Sequence, residues 1–145
     1  MMNRNKRIAL ARHLGCSLSE LSENPYDENM LDYGRQEWKV LTDSEADEAV
    51  REYINDSVWA FSASFLSRYI PGSIKAIEVV QEKCCEDCND LLKAAIGDKL
   101  SAFIDDAIGE DGRGNFLSGY DSEEVEINLP VGRNRRQYFY AYRNN

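Results

Sequence analysis

The sequence predicts an α+β fold in which a long central helix and shorter helices pack on a small antiparallel sheet. Apolar residues recur every three or four positions between residues 41 and 69, which is the period of an amphipathic helix. Alternating segments at 29–41 and 137–143 are typical of half-buried strands. With 145 residues, the chain is expected to form a single domain over 1–145 with a core of its own.

The first segment, residues 1–24, is expected to form a helical hairpin. Gly15 ends its first helix, and Ser17 with Glu20 forms a capping box that opens the second. A DNA-reading role is not favoured, because the second helix would present serines and glutamates where recognition requires basic or amide side chains. The hairpin is therefore interpreted as structural.

A β-hairpin is predicted next, over residues 29–41. Its strands are Met30–Tyr33 and Gln36–Leu41, and the turn lies at Gly34-Arg35.

The central helix is the longest helical pattern of the chain. Thr42 and Glu45 form a capping box, so the helix is expected to begin at about Asp43 and to continue to Tyr69, before Pro71-Gly72. Its predicted apolar stripe comprises Ala46, Ala49, Val50, Tyr53, Ile54, Val58, Phe61 and Phe65.

The helical body, 42–108, is expected to continue with two further helices, over 74–95 and 98–108. An acidic, glycine-rich loop is predicted over 109–132, with one short strand at Val125–Leu129. The first of these helices would bury the stripe Ile77, Val80, Cys84, Cys88, Leu91 and Ala95, and the second would bury Leu100, Phe103, Ile104, Ala107 and Ile108.

The last predicted element is the strand 137–143, which we expect to pair antiparallel with Gln36–Leu41. Its alternation places Tyr138, Tyr140 and Tyr142 on one face. With arginines just before them, these tyrosines resemble a stacking platform for single-stranded nucleic acid. The favoured interpretation is that they pack beneath the central helix, since an acidic molecule repels phosphates.

Charge is distributed unevenly along the sequence. All 26 acidic residues lie between Glu20 and Glu126, which gives this middle part a net charge of −17, whereas each end carries +4. Such a field attracts basic surfaces and repels nucleic acid, although acidity can also serve only solubility. No stretch is typical of a signal peptide or a membrane span, and the four cysteines are expected to be reduced thiols of a cytoplasmic protein.

The candidate binding residues are therefore acidic. We expect no catalytic residue, no cofactor, no direct contact with nucleic acid and no contact with membranes, and the partner is expected to be a basic protein surface that normally holds nucleic acid. The candidate partner-binding residues are Glu45, Glu48, Glu52 and Asp56 of the central helix, and Glu110, Asp111, Glu123, Glu124 and Glu126 of the loop.

Two other interpretations stay open at the level of sequence. Arg113, within Asp111-Gly112-Arg113-Gly114, could anchor an anionic ligand in an enzymatic or small-ligand module. A structural zinc site could be built from the four residues His13, Cys16, Cys85 and Cys88, but cysteines on an apolar stripe are more often core residues. A structural or regulatory subunit is the third possibility.

Three segments carry a resemblance to known proteins: LTDSEADEAVREYINDSVWAF, DGRGNFLSGYDSEE and the terminal YFYAYRNN. From about Tyr26 onward, the chain resembles a group of small acidic proteins of bacteriophages and other mobile elements. The resemblance implies a bacterial host cytoplasm and an accessory role. Small acidic phage proteins are often inhibitors of restriction or CRISPR complexes, and some mimic DNA. The resemblance transfers no catalytic or binding residues.

Overall fold

The computed structural model describes residues 3–145 and confirms the α+β fold class. Its five-stranded sheet is antiparallel throughout, with the order β1-β2-β3-β5-β4. The strands are β1 (Leu21–Glu23), β2 (Met30–Tyr33), β3 (Gln36–Leu41), β4 (Val125–Gly132) and β5 (Arg135–Arg143). The helices are α1 (Arg4–Leu14), α2 (Asp43–Asp56), α3 (Ala63–Leu66), α4 (Ile74–Cys84), α5 (Asn89–Ile96), α6 (Leu100–Asp111) and α7 (Arg113–Leu117).

The sequence predicts one domain, whereas the structure divides into two compact units. The first unit comprises the residues up to Val50 together with Asp111–Asn145, and it contains the whole sheet. The second unit, Arg51–Glu110, is helical. The division arises because segments from both ends of the sequence pair in one sheet, so the intervening residues form a separate cluster. Among residues 3–145, no helix combines the length and the apolar character needed to cross a membrane.

Strand pairing follows the predictions closely. The hairpin of β2 and β3 turns at Gly34-Arg35, and β5 pairs antiparallel with β3, with Val40 opposite Ala141. Gly34 has a φ of 59°, a conformation that glycine adopts without steric cost. Since β5 also pairs with β4, from Arg135 to Ala141, the last strand in sequence lies inside the sheet.

Both faces of the sheet are covered within the first unit. On one face, α1 inserts Ala9 and Leu10 into a cluster that includes Val40 and Phe139, so the N-terminal helix supplies much of the core. On the other face, Ala46 of α2 packs with the buried residues Leu41 of β3 and Tyr142 of β5. The half-buried residues around this cluster are Ala49, Leu117 and Tyr140. The prediction that tyrosines pack beneath the central helix is thus confirmed for Tyr142.

The predicted N-terminal helical hairpin is wrong in its second half. The capping box of Ser17 and Glu20 forms, but it opens only one 3₁₀ turn, Leu18–Glu20. The chain then enters β1, where Leu21 is buried opposite Tyr33. Pairing with β2 satisfies the backbone of this segment, which an isolated helical turn would leave exposed.

The central helix begins at Asp43 as predicted but ends at Asp56, well before Tyr69. The Oγ of Ser57 donates a hydrogen bond to the carbonyl of Tyr53, and the Oγ of Ser62 accepts one from the Phe65 backbone N–H and caps α3. These serines offer the backbone an alternative to continued helix. The predicted stripe nevertheless stays buried at Ile54, Val58 and Phe65, on separate elements.

The helix predicted over 74–95 is interrupted at Cys85, whose φ is 48°. The predicted stripe is correct at Ile77 but wrong at Cys84, which is exposed before the break. The interruption rotates the residues after it, so the stripe is correct at Cys88 but wrong at Leu91 and Ala95, which are exposed. Leu92 is buried instead, and a 3₁₀ turn over Cys85–Cys88 connects α4 with α5.

The loop predicted over 109–132 is largely regular structure. Helix α6 continues to Asp111, α7 follows at once, and β4 extends the predicted strand to Gly132. The glycines of this segment suggested a long loop. Gly112 and Gly114 instead allow short elements to pack closely around Arg113.

Candidate partner-binding site

Glu45 is held by partners within the first unit, although its side chain is 39% exposed. One of its carboxylate oxygens, Oε1, accepts hydrogen bonds from the Thr42 N–H at 2.9 Å and from the Nζ of Lys6 at 2.7 Å. Lys6 is only 4% exposed and also donates to Asn29. Burial alone would raise the pKa of Glu45, but the hydrogen bonds from Lys6 and Thr42 hold that pKa below its ordinary value. Its prediction as a partner-binding residue is therefore not supported.

Arg113 forms a second internal network, the Arg113 node, with Asp43, Glu124, Tyr140 and Tyr142. Its Nε and Nη2 donate to the two oxygens of Glu124 at 2.7 and 3.1 Å, and its Nη1 donates to Oδ1 of Asp43 at 3.0 Å. The guanidinium lies 4.7 Å from the ring centroid of Tyr140. Glu124 also accepts a hydrogen bond from the hydroxyl of the fully buried Tyr142.

The node explains why neither Arg113 nor Glu124 is open to a partner. All three guanidinium nitrogens donate within the protein, and the carboxylate is held on both oxygens. The hydrogen bond with Glu124 raises the pKa of Arg113. The pKa of Tyr142 is raised chiefly by burial of its hydroxyl and, second, by the hydrogen bond to the Glu124 carboxylate. Arg113 is thus a structural anchor, and the predicted anion site at Asp111-Gly112-Arg113-Gly114 is not supported.

The glycines beside Arg113 have steric roles in this node. Gly112 precedes α7 with a φ of 79°. At Gly114 an added Cβ would lie 2.6 Å from the backbone N of Glu124 and from the carbonyl of Ser122. The close approach of these two backbone segments brings Glu124 within reach of Arg113.

The other acidic candidates from the predicted loop fall into two groups. Glu110 pairs with Arg68 at 2.6 Å, and the carboxylate of Glu126 lies 3.4 Å from the hydroxyl of Tyr140. Asp111 and Glu123 are exposed. Glu110 and Glu126 thus each have a partner within the chain, and all four residues are exposed.

Of the four acidic candidates on α2, only the last three remain available to a partner. Glu48, Glu52 and Asp56 are exposed and follow one another at intervals of four residues, which corresponds to about 6 Å along a helix axis. The helix passes from the first unit into the second between Val50 and Arg51, so Glu52 and Asp56 belong to the second unit.

Asp56 also lines an acidic concavity of the second unit that the sequence did not predict. This concavity has a volume of about 370 Å³ and is lined by Asp56, Trp59, Glu86, Asp87, Asn89 and Asp90. Its four carboxylates are on exposed residues, whereas Trp59 is half-buried. We call these six residues the acidic concavity.

Asn89 connects the two walls of the acidic concavity. Its Oδ1 accepts a hydrogen bond from the backbone N–H of Trp59 at 3.1 Å, and its Nδ2 donates to the carbonyl of Asn55 at 3.0 Å. The break at Cys85 places Glu86 and Asp87 on a 3₁₀ turn directly before Asn89. The four carboxylates therefore line one concavity together with Trp59 and Asn89, an arrangement that suits a lysine or arginine side chain.

Sequence reasoning missed Glu86, Asp87, Asp90 and Trp59. The signal was present as two adjacent acids and a third within five residues, but the cysteines around them suggested an uninterrupted apolar stripe. Helical periodicity alone could not reveal the break at Cys85.

Two of the four possible zinc ligands, His13 and Cys88, serve other roles. The ring of His13 meets Trp38 edge-on at 6.1 Å, and the buried Cys88 donates its thiol to the carbonyl of Cys85 at 2.9 Å. Burial raises the pKa of Cys88, which disfavours the thiolate that a metal requires. Over residues 3–145, no three His, Cys, Asp or Glu side chains are grouped so that they could hold a metal ion.

Comparison of the chain with protein-family models, with curated proteins and with solved structures gave no significant match.

Proposed function

We propose that this protein is an acidic binding protein whose second unit docks on a lysine- and arginine-rich protein surface. The acidic concavity is the observation that supports the proposal. It combines four carboxylates in one recess, and a guanidinium or ammonium group inserted there would meet opposite charge on several sides.

The charge of the second unit favours the same class of partner. This unit contains eleven acidic and six basic residues, and three of the basic ones, Arg51, Arg68 and Lys75, pair with its own carboxylates. The surface therefore keeps a net negative field that steers basic partners and weakens as salt screens it. Glu52 and Asp56 extend this field along α2.

The partner proposed is a complex of the host cell that handles nucleic acid, in keeping with the resemblance to small acidic phage proteins. A basic groove that normally holds a phosphate backbone offers the lysines and arginines that the acidic concavity requires. Occupation of that groove would inhibit the complex, as a restriction or CRISPR complex would be inhibited by a DNA mimic.

The first experiment measures binding of a fluorescent arginine-rich peptide by anisotropy at low and high salt. The triple variant E86Q/D87N/D90N should bind about tenfold more weakly, since three exposed ion pairs contribute about 0.5 kcal/mol each. The matched control E82Q/D98N/D106N removes the same charges from exposed positions of the same unit outside the acidic concavity, and it should retain most of the affinity.

The second experiment identifies the partner. Wild-type protein and both triple variants are used for affinity capture from a bacterial host lysate at low and high salt. Recovery of a nucleic-acid-handling complex by the wild type and the control, but not by E86Q/D87N/D90N, is the expected result. Equal recovery by all three proteins would contradict a role for the acidic concavity, and charge reversal at Glu48, Glu52 and Asp56 would then test the helix face.

A further inference from the structure

The tip of the β4–β5 hairpin is positively charged, in contrast to the acidic concavity. Arg133, Arg135 and Arg136 are all exposed there, and no acidic residue occurs between Ile127 and Asn145. Asn134, with a φ of 59°, forms the turn that separates the first two arginines.

A shallow concave surface of about 750 Å³ lies beside these arginines. It is lined by Pro130, Val131, Gly132, Asn134, Arg135, Arg136 and Tyr138. Val131 and Tyr138 are about half exposed, at 50% and 48%. Nη1 of Arg136 donates to Asn128 at 2.6 Å, which orients its guanidinium on the face that carries Tyr138. An aromatic ring and an apolar side chain are thus presented next to three positive charges.

The fold brings the other basic end of the sequence near the same end of the sheet. Nδ2 of Asn5 on α1 donates to Oε1 of Gln137 on β5 at 2.8 Å, although the two residues are 132 positions apart. Arg4, the neighbour of Asn5, is exposed, and α1 contains no acidic residue. The two basic ends therefore approach one another at the same end of the sheet, with α1 on the face of Phe139 and Tyr138 on the opposite face.

We propose that this surface binds single-stranded nucleic acid, with Arg133, Arg135 and Arg136 on phosphates and Tyr138 stacked on a base. Guanidinium groups bind phosphate oxygens through paired N–H donors, and an exposed aromatic ring accepts any base face. A duplex has its bases already stacked on one another, so it leaves the ring of Tyr138 without a partner.

The net charge of −9 does not prevent this contact. Charges are screened over about 8 Å at physiological salt, so a phosphate at the hairpin tip responds chiefly to the arginines around it. The expectation that nucleic acid is repelled rested on the charge of the whole chain, whereas the structure gathers basic residues at one end of the sheet. The inference uses none of the acidic residues of the proposed function, so either can fail alone.

The test measures binding of a fluorescent thymidine oligonucleotide of about twelve nucleotides by anisotropy over a range of salt concentrations. The variant R133Q/R135Q should bind more weakly, and the slope of log affinity against log salt should fall in magnitude by about 1.4, at ~0.7 for each phosphate that the variant no longer neutralises. Circular dichroism of each variant checks that it is folded.

The matched control is R12Q/R35Q, which removes two exposed arginines from the other end of the sheet. Arg35 directly precedes β3, whose residue Trp38 lies opposite Arg143, at the end of β5 away from the hairpin tip. Arg12 is adjacent to His13, which contacts the same Trp38. The control changes the net charge by the same amount as R133Q/R135Q. Since its two arginines lie away from the hairpin tip, it should leave the affinity and the salt slope close to those of the wild type.

A second pair of variants tests the stacking role. Tyr138→Ala should weaken binding about tenfold, within the range measured for loss of one base-stacking ring, and Tyr138→Phe should restore it. Tyr26→Ala removes another exposed tyrosine, 95% exposed, and should have no effect.

Three results would overturn the inference. The wild type could fail to bind the oligonucleotide even at the lowest salt concentration. R12Q/R35Q could weaken binding as much as R133Q/R135Q, which would indicate a general charge effect. Finally, a duplex of the same length, or polyglutamate, could compete as well as the single strand, which would show that the surface does not select unpaired bases.

Discussion

Removal of the Arg113 side chain tests whether the Arg113 node stabilises the first unit. Arg113→Met keeps most of the aliphatic volume but leaves the Glu124 carboxylate, whose side chain is 27% exposed, facing the buried Tyr142. Breaking a fully buried pair costs about 3 to 5 kcal/mol and losing an exposed pair costs up to about 1 kcal/mol. Arg113 is 15% exposed, nearer the buried limit, so we expect a loss of about 3 kcal/mol in the free energy of unfolding.

The assay exploits the two tryptophans, one in each unit. In a Trp59→Phe background, Trp38 alone reports urea unfolding of the first unit by fluorescence. A loss of about 3 kcal/mol corresponds to a fall in Tm of about 6 to 12 °C for a chain of this size.

Two controls accompany this measurement. Arg68→Met breaks an ion pair of the second unit at 2.6 Å whose partners are about half exposed, and it should cost less than about 1 kcal/mol, read from Trp59 in a Trp38→Phe background. The double variant R113M/E124Q should be more stable than the sum of its single variants predicts, because no uncompensated carboxylate remains. A loss below about 1 kcal/mol in R113M, or strict additivity in the double variant, would refute the reasoning.

Two other substitutions test the steric and electrostatic interpretation of the first unit. Gly114→Ala should destabilise it by at least about 2 kcal/mol in urea unfolding, because the new Cβ would lie 2.6 Å from backbone atoms. The control Gly109→Ala places a Cβ on α6 with nothing within 4 Å, and it should stabilise that helix by about 0.5 to 1 kcal/mol. Equal effects of the two substitutions would show that the close approach at Gly114 is not needed. Glu45→Gln should reduce stability at pH 6, and the difference from the wild type should shrink as the pH falls below 4.5, because a carboxyl group whose pKa is lowered by folding stabilises the fold only while it is ionised. A difference that stays constant from pH 6 to pH 3 in denaturation curves would contradict the ion pair with Lys6.

The elements that local sequence determines were predicted well. The start of α2 follows from the side chains of Thr42 and Glu45, and the β2–β3 hairpin follows from alternation around Gly34, so both require only neighbours in sequence. The alternation of β5 likewise indicated its pairing with β3.

The features missed from sequence depend on residues that are distant along the chain or on breaks in periodicity. Asp43 and Arg113 are 70 positions apart, so the node that occupies Arg113 could not be inferred from the loop around it. The segment Leu21–Glu23 became a strand because β2 offers it backbone partners, which overrides the helical capping signal before it. The acidic concavity depends on the left-handed backbone at Cys85, a conformation that side-chain patterns do not indicate.

The position of β5 inside the sheet sets an order of events during synthesis. Of the five strands, β5 leaves the ribosome after all the others, yet β3 and β4 are joined only through it. Until then β3 presents an open edge, while the residues of the second unit, which contact one another locally, have already emerged. Chains halted before Arg135 should therefore hold a helical middle segment and an incomplete sheet prone to pair with neighbouring chains.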